Sequence, residues 1–374
     1  MKALVAVSYV GLVLPQSCRC VVNQATKLYP AIVYNEIVET TKKAHAIIEK
    51  WAAENGVNLS PKFIEKKRNQ HYVPRCYLEL WHNSEKTLYQ SIKGGEPIPV
   101  RGDLKKVAQS KDFYRVQPIT EKDRDFLLWL VKTVKSPDIS NFLIDFIKIY
   151  ELTGGLMQIV SDYTWPQTSG DAETPYKIVD TLANNLIEEL YAEIEATAAD
   201  ILRKIGSGEI DWWEAERSKV NFLLFFGTQY FRTPGILKKA NQLTSPKNVG
   251  LSENVIYPLM MIMSMQIVDD MVTKPDDYHI TLLINDSDVP FITGIQPIVD
   301  ARPNKQGAYN LYYPITAKYA ILLKKEERRR KGIIKVTIDS NKAHEYNNMI
   351  KNSSDILIAS DAKILVKYTN QGNW

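Results

Sequence analysis

One histidine lies among residue types that can carry acid–base chemistry. His71 follows Gln70 and precedes Pro74 and Arg75, and it is one of five histidines in a chain of 374 residues. Imidazole is the side chain whose ordinary pKa suits proton transfer near neutral pH. Arginines such as Arg75 and Arg232 can bind a phosphate or a carboxylate through two parallel hydrogen bonds. Together these residue types resemble the parts of a metal-independent phosphodiesterase.

The predicted catalytic residues are His71, Arg75, Asp112 and Arg232. In this hypothesis the histidine acts as base or acid, the arginines stabilise developing charge, and Asp112 orients the imidazole. Six further side chains are predicted to bind the substrate, namely Gln70, Tyr114, Gln229, Arg328, Arg329 and Arg330. The alternative role is structural, because His71 and Arg75 could instead fasten their segment to the helix end at Arg232 through hydrogen bonds.

Histidine and cysteine spacing does not indicate a metal site. His71 and His82 are eleven residues apart, and no histidine or cysteine pair has the spacing of zinc ligands. The glycine pairs at 94–95 and 154–155 lack the pattern of a phosphate-binding loop. We therefore expect neither a metal ion nor another cofactor at the site.

Composition describes a globular chain with a mild basic excess. The chain is 45% hydrophobic and 24% charged, which excludes a disordered protein and allows a large core. A formal net charge of +4 permits an acidic partner such as RNA or DNA without requiring one. Basic residues concentrate in the segments 62–68 and 324–331, which are either solvated loops or rims that bind phosphate.

The N-terminus and the cysteines bear on localisation. Cys18, Cys20 and Cys76 form no disulfide framework, so a reducing, cytoplasmic environment is expected. Residues 1–14 have the outline of a signal peptide, but no small-x-small cleavage site follows them. A buried strand is the other interpretation of this stretch. No apolar run approaches the ~20 residues that span a bilayer, so no membrane partner is expected.

Hydrophobic periodicity divides the chain into strand-rich ends and a helical middle at about residues 120–273. One predicted helix begins near residue 139 and ends at the glycine pair 154–155, and a long one spans 176–205. An apolar helix ends at Phe231, with Asp211 and Glu214 as its expected capping box. Strands are predicted at 86–101 (a hairpin), 111–116, 278–284, 289–293, 309–315, 319–323, 333–338, 355–359 and 364–368, with a helix over 340–351 that Asp339 caps.

An α+β fold is the economical arrangement of these elements. Strands from the N- and C-terminal segments share a sheet, and the helical middle packs against it. Residues 69–368 then form a single α+β domain with a helical insertion over 120–273, preceded by an N-terminal extension over 1–60 that contains a strand and a helix. Pro74 is expected to begin a short helix and to leave His71 on an extended segment before it.

Several short motifs occur in the order found in a known bacterial family. They are Asn69-Gln70-His71-Tyr72-Val73-Pro74, Tyr77-Leu78, Val107-Ala108, Asp112-Phe113-Tyr114, Phe231-Arg232-Thr233-Pro234, Val289-Pro290-Phe291-Ile292-Thr293, Tyr313-Pro314-Ile315-Thr316 and Asn347. Over about residues 69–361 the sequence resembles a family catalogued as a domain of unknown function, number forty-two thirty-eight. Because that family has no established activity, the resemblance implies architecture more than chemistry.

The resemblance has one departure that bears on function. Relatives usually continue the phenylalanine-isoleucine-threonine element with serine-aspartate-asparagine-proline, whereas this chain has Gly294-Ile295-Gln296-Pro297. Ile295 therefore stands where relatives keep a carboxylate.

Three functions remain open at this point. The first is a nuclease or other phosphodiesterase, as in toxin-like effectors of phage defence. The second is a non-enzymatic module that binds nucleic acid or protein, which the missing aspartate favours. The third is a transferase that uses a nucleotide such as NAD, with Tyr114 stacking on the base.

Overall fold

The described part of the chain combines helices with short strands. The computed structural model describes residues 65–92, 95–162, 175–244, 249–302, 309–325 and 332–369. Its helices are α1 Arg75–Leu78, α2 Glu121–Val131, α3 Pro137–Asp162, α4 Pro175–Gly206, α5 Glu216–Phe231, α6 Pro234–Thr244, α7 Ile256–Thr273, α8 Ser340–Ser353 and α9 Ala362–Thr369. Its strands are β1 Asn69–His71, β2 Thr87–Ile92, β3 Ile98–Arg101, β4 Gln109–Lys111, β5 Tyr278–Asn285, β6 Thr293–Gly294, β7 Val299–Asp300, β8 Asn310–Pro314, β9 Tyr319–Lys325, β10 Ile333–Ile338 and β11 Ile356–Ala359.

The predicted α+β class is confirmed, because strand-rich segments flank a helical middle along the chain. Two predictions fall outside the described residues. They are the N-terminal extension over 1–60 and the substrate-binding role of Arg328, Arg329 and Arg330.

The chain divides into two compact units. The described residues of the first unit are 65–68, 114–162, 175–189 and 251–258. The second unit takes the remaining described residues and contains all eleven of the strands named above. The single domain expected over residues 69–368 stays a prediction.

Three sheets lie in the second unit. β1 and β4 form a short antiparallel pair in which His71 lies opposite Gln109. A second sheet has the strand order β3-β2-β11-β6, so strands from both ends of the chain share it, as predicted. The largest sheet has the order β10-β5-β9-β8-β7, in which β10 runs parallel to β5 and the other pairs are antiparallel.

Aromatic side chains anchor helices to both faces of the largest sheet at β8. Tyr313 stacks on Tyr77 of α1 with 5.0 Å between ring centroids, and Phe226 of α5 meets Tyr313 edge-on at 5.9 Å. The preceding residue, Tyr312, points to the opposite face because side chains alternate along a strand. There it stacks on Tyr346 of α8 with 4.3 Å between centroids. The core of the second unit therefore lies on both sides of this strand.

In the first unit, carboxylates of α4 neutralise part of the basic segment at residues 62–68. The ammonium groups of Lys66 and Lys67 pair with Asp180 and Glu189 at 2.6 and 2.5 Å. Asp180 also pairs with Arg115 at 2.6 Å. These two lysines are engaged inside their own unit, which argues against the phosphate-binding rim considered above.

Two helix boundaries differ from the prediction. The glycine pair at 154–155 does not end a helix, because α3 continues to Asp162. A Cβ at Gly154 would lie 2.9 Å from the carbonyl oxygen of Gln117, so the glycine permits a close backbone approach. Residues 211–214 form a separate 3-10 turn and no side chain caps α5. Burial of Trp212 against Phe222, 4.8 Å between centroids, accounts for this turn.

Three strand predictions also need correction. The strand expected over 364–368 is the helix α9, whose buried Ile364, Leu365 and Tyr368 fit a helical face equally well. The strand expected over 111–116 ends at Lys111, because Asp112 has a φ of 53° that breaks the extended chain. Of the strand expected over 289–293, only the end belongs to β6.

Candidate functional site

His71 is held at the end of the β1–β4 pair. The Tyr72 amide donates to the Ala108 carbonyl at 3.1 Å and continues the pairing beyond the sheet. The Nδ1 atom of His71 lies 3.1 Å from the carbonyl oxygen of Val107. A carbonyl can only accept, so in this arrangement the neutral ring carries its proton on Nδ1 and its basic lone pair on Nε2.

Burial keeps His71 neutral at pH 7. The ring is half-buried, and desolvation is the main cause that lowers its pKa from 6.5 to about 4. The positive charges of Arg75 and, more weakly, Arg232 lower the pKa further, while the hydrogen bond to Val107 opposes the shift. The uncharged imidazole is the form that a general base requires.

The short helix α1 presents one charged group to solvent and one thiol towards the interior. The short helix is present as predicted, but it begins at Arg75, because Pro74 precedes it in an extended conformation, and Arg75 is exposed. Burial, followed by the negative charge of Glu195, raises the pKa of the Cys76 thiol to about 12. The thiol therefore stays protonated and is a poor nucleophile at neutral pH, whereas Arg75 is accessible to a substrate anion.

Arg232 is the centre of a buried group of hydrogen bonds, which we call the Arg232 network. Its side chain is 1% exposed, its Nε and Nη2 donate to Gln229 Oε1 at 2.9 and 2.7 Å, and its Nη1 donates to Glu195 Oε1 at 2.7 Å. Gln229 Nε2 in turn donates to the Tyr72 carbonyl at 3.1 Å. The guanidinium lies 5.0 Å from the ring centroid of Tyr191. This geometry makes Arg232 a positioning residue rather than the predicted substrate contact.

Three predicted substrate-binding side chains are fully buried, with 0% exposure for Gln70, Tyr114 and Gln229. Gln229 belongs to the Arg232 network, which uses both ends of its amide. Tyr114 lies in the first unit, where its ring meets Tyr257 edge-on with 6.0 Å between centroids. A ring buried in this way cannot stack on a nucleotide base, so the role predicted for Tyr114 does not fit the structure.

The acceptor at Nδ1 of His71 is a backbone carbonyl, whereas the carboxylate of Asp112 was predicted to orient the imidazole. Asp112 is half-buried at the end of β4, and the acceptor found at His71 Nδ1 is Val107. The structure thus brings Arg75 and Arg232 close enough to His71 for their positive charges to lower its pKa. Sequence reasoning missed Glu195, because it precedes Arg232 by 37 residues and no local pattern marks it.

The described residues contain no candidate metal site and one candidate membrane span. Among them, no group of three or more His, Cys, Asp or Glu side chains is placed to hold a metal ion. One helical stretch, Glu253–Thr273, is long and apolar enough to cross a membrane, with a mean hydropathy of 1.4. Because 72% of this stretch is buried inside the protein, it resembles a core helix.

Residues 69–363 match the family described as "Protein of unknown function (DUF4238)". The chain belongs to this family. The resemblance inferred from the ordered motifs is thereby confirmed, and the DUF4238 match spans the whole neighbourhood of His71, Arg75 and Arg232. No curated protein and no solved structure matches the chain.

The segment in which this DUF4238 chain lacks a carboxylate is tightly packed. A Cβ at Gly294 would lie 2.5 Å from Ser354 Oγ, so a side chain at this position would clash. The Gln296 amide donates to the same Ser354 hydroxyl at 3.0 Å, and Gln296 Nε2 donates to the Ile298 carbonyl at 2.8 Å. Internal hydrogen bonds therefore occupy the polar groups of this turn, which gives it a structural role.

Proposed function

We propose that the protein cleaves phosphodiester bonds in RNA without a metal ion, with His71 as general base and Arg75 as phosphate ligand. The observation that carries this proposal is the hydrogen bond of 3.1 Å between His71 Nδ1 and the Val107 carbonyl. It sets a tautomer whose Nε2 can accept a proton, while Arg75 is exposed four residues further along.

RNA is the favoured substrate because its own 2′-hydroxyl can act as the nucleophile. In the proposed step His71 removes the proton from a 2′-hydroxyl, whose oxygen attacks the adjacent phosphorus. The bond from phosphorus to the 5′-oxygen breaks, the departing oxygen takes a proton from a water molecule, and a 2′,3′-cyclic phosphate remains. The resulting hydroxide takes up the proton held by His71, which restores the neutral imidazole. Arg75 stabilises the extra negative charge on the phosphoryl oxygens.

A pKa of about 4 makes His71 a weak base in the protein without substrate. Binding of the substrate is expected to raise this pKa. A phosphate bound between His71 and Arg75 would oppose the arginine's charge and so raise the pKa of the histidine. The Arg232 network contributes indirectly in this mechanism, because it holds the backbone at Tyr72, next to His71.

The test is cleavage of labelled RNA and DNA oligonucleotides in EDTA by four purified proteins. The wild type should produce cyclic-phosphate ends from RNA only. His71→Gln should reduce the rate by about 10²–10⁴-fold, the usual contribution of a general base. Arg75→Gln should reduce it by about 10²-fold, since one charge-stabilising donor is lost. Arg101→Gln, which removes an exposed arginine of β3, is the matched control and should cleave normally.

Products that are identical for the wild type and His71→Gln would exclude this mechanism, as would a wild type that cleaves neither nucleic acid. Cleavage of DNA at the rate of RNA would exclude the 2′-hydroxyl as nucleophile.

A second candidate function is a non-enzymatic module that binds nucleic acid. The observation in its favour is the burial of Arg232, because the second arginine of the predicted catalytic set then contacts protein groups. In this case RNA binding should persist in His71→Gln. It should also weaken with rising salt and lose part of that salt dependence when Arg328, Arg329 and Arg330 are changed to glutamine. Anisotropy titrations over a range of KCl concentrations measure both effects, and binding that is indifferent to salt would exclude this function.

A further inference from the structure

One face of the largest sheet is covered by α8 only in part. Tyr346 of α8 stacks on Tyr312 of β8 and covers the sheet at that strand. On the same face Tyr312 lies opposite Leu322, Leu322 opposite Thr281, and Thr281 opposite Ile334. Beyond Tyr312 this face forms a concavity of about 650 Å³ over β9, β5 and β10, which we call the sheet cleft.

The sheet cleft is polar at one end and apolar along its floor. At the polar end His279 of β5 lies directly opposite Lys324 of β9. The floor consists of alternate residues of the three strands, among them Leu283, Leu322 and Val336. From His279 to Leu283 the strand extends about 13 Å, at about 3.3 Å per residue. An occupant would therefore need a polar head and an apolar body about as long as this span.

Lys324 supplies positive charge that no carboxylate of the described residues neutralises. The neighbouring Lys325, in contrast, forms an ion pair with a carboxylate of α7. The acidic groups on the wall of the sheet cleft are engaged elsewhere, because Asp339 accepts from the Lys342 amide at 2.8 Å and Glu345 pairs with the Lys342 ammonium at 2.6 Å. The polar end thus favours an anion from outside.

We propose that the sheet cleft binds an amphipathic monocarboxylate, such as a medium-chain fatty acid. The carboxylate lies at the polar end, where it accepts a charge-assisted hydrogen bond from the ammonium group of Lys324. The alkyl chain lies along the floor, where it covers Val336, an apolar side chain that is 41% exposed. A volume of about 650 Å³ is typical of small-ligand sites, and the lining combines an apolar floor with a polar wall. This inference is independent of the chemistry proposed for His71.

The experiment titrates the full chain with decanoate by isothermal calorimetry. Decyltrimethylammonium, which has the same alkyl chain and the opposite head charge, serves as the matched ligand. The wild type should bind decanoate and should bind the ammonium compound at least about tenfold more weakly. Lys324→Met should weaken decanoate binding by about tenfold, because it removes the charge and keeps the bulk of the side chain. Lys363→Met, at an exposed lysine outside the sheet cleft, should bind like the wild type.

Three results would overturn the proposal. The first is a wild type that gives no binding heat with decanoate, as expected if another part of the chain fills the sheet cleft. The second is equal affinity of the wild type and Lys324→Met, with thermal melts showing that both are folded. The third is equal affinity for the two head groups, which would show adsorption to apolar surface without a carboxylate site.

Discussion

The Arg232 network and the sheet cleft both lie in the second unit, but they differ in how their positive charge is neutralised. Arg232 is 2% exposed and directs its guanidinium at Gln229 and Glu195. Lys324 is half-buried beside a concavity and has no ion pair with a described carboxylate. A buried charge must be paired inside the protein, whereas a charge at the mouth of a cleft is solvated by water and can be paired by a bound ligand.

The difference shows why residue type alone assigns function poorly. Arg232 and Arg75 are equally suited to binding phosphate by chemistry, but only Arg75 is exposed. The guanidinium of Arg232 connects α4 with α5 through Glu195 and Gln229, and Gln229 in turn holds the backbone next to His71. Exposure and internal partners therefore separate a positioning residue from a ligand-binding one.

The largest effect is expected when the Arg232 network is broken. Arg232→Met should lower the free energy of unfolding by about 2–4 kcal/mol, because it leaves the buried Gln229 oxygen without its donors and Glu195 without its ion pair. Urea denaturation at pH 7 measures the change. The matched control is Arg75→Met, an exposed arginine whose loss should change stability by less than about 0.5 kcal/mol. Equal losses for the two variants would contradict the structural assignment of Arg232.

More of the fold than of the Arg232 network could be predicted from the sequence. Short apolar runs rich in strand-forming residues mark strands such as 319–323 and 333–338, and the ordered motifs identify the family, so the α+β class follows from local patterns. The pairing of Arg232 with Glu195 depends on how α4 and α5 meet, and no periodicity records that contact. The sheet cleft was missed for the same reason, since its residues come from three strands that become neighbours only in the folded sheet.

A smaller effect should appear in the pH dependence of stability, through the half-buried ring of His71. The pKa of His71 is about 4 in the folded protein and about 6.5 in the unfolded chain. The unfolded state therefore binds more protons in this window, and stability falls as the pH drops from about 6.5 towards 4. After allowance for solvent screening of the half-buried ring, the loss should be about 1–2 kcal/mol.

His71→Gln removes this titration and keeps a side chain that can donate to the Val107 carbonyl. Urea denaturation of both proteins at pH 7, 6, 5 and 4.5 should show the stability of the wild type falling more steeply than that of the variant. Parallel pH profiles would mean that the folded-state pKa of His71 is not depressed.

The smallest effect is expected at Lys324, and its size is informative. Lys324→Met removes a charge that has no ion pair with a described residue and places an apolar side chain beside Leu322. The free energy of unfolding should therefore change by less than about 0.5 kcal/mol in the absence of ligand. A loss above about 1 kcal/mol would reveal a partner for Lys324 within the chain, and the sheet cleft would then resemble the Arg232 network. A near-zero change together with weaker decanoate binding would show that this lysine serves a ligand, because the two measurements separate stability from affinity.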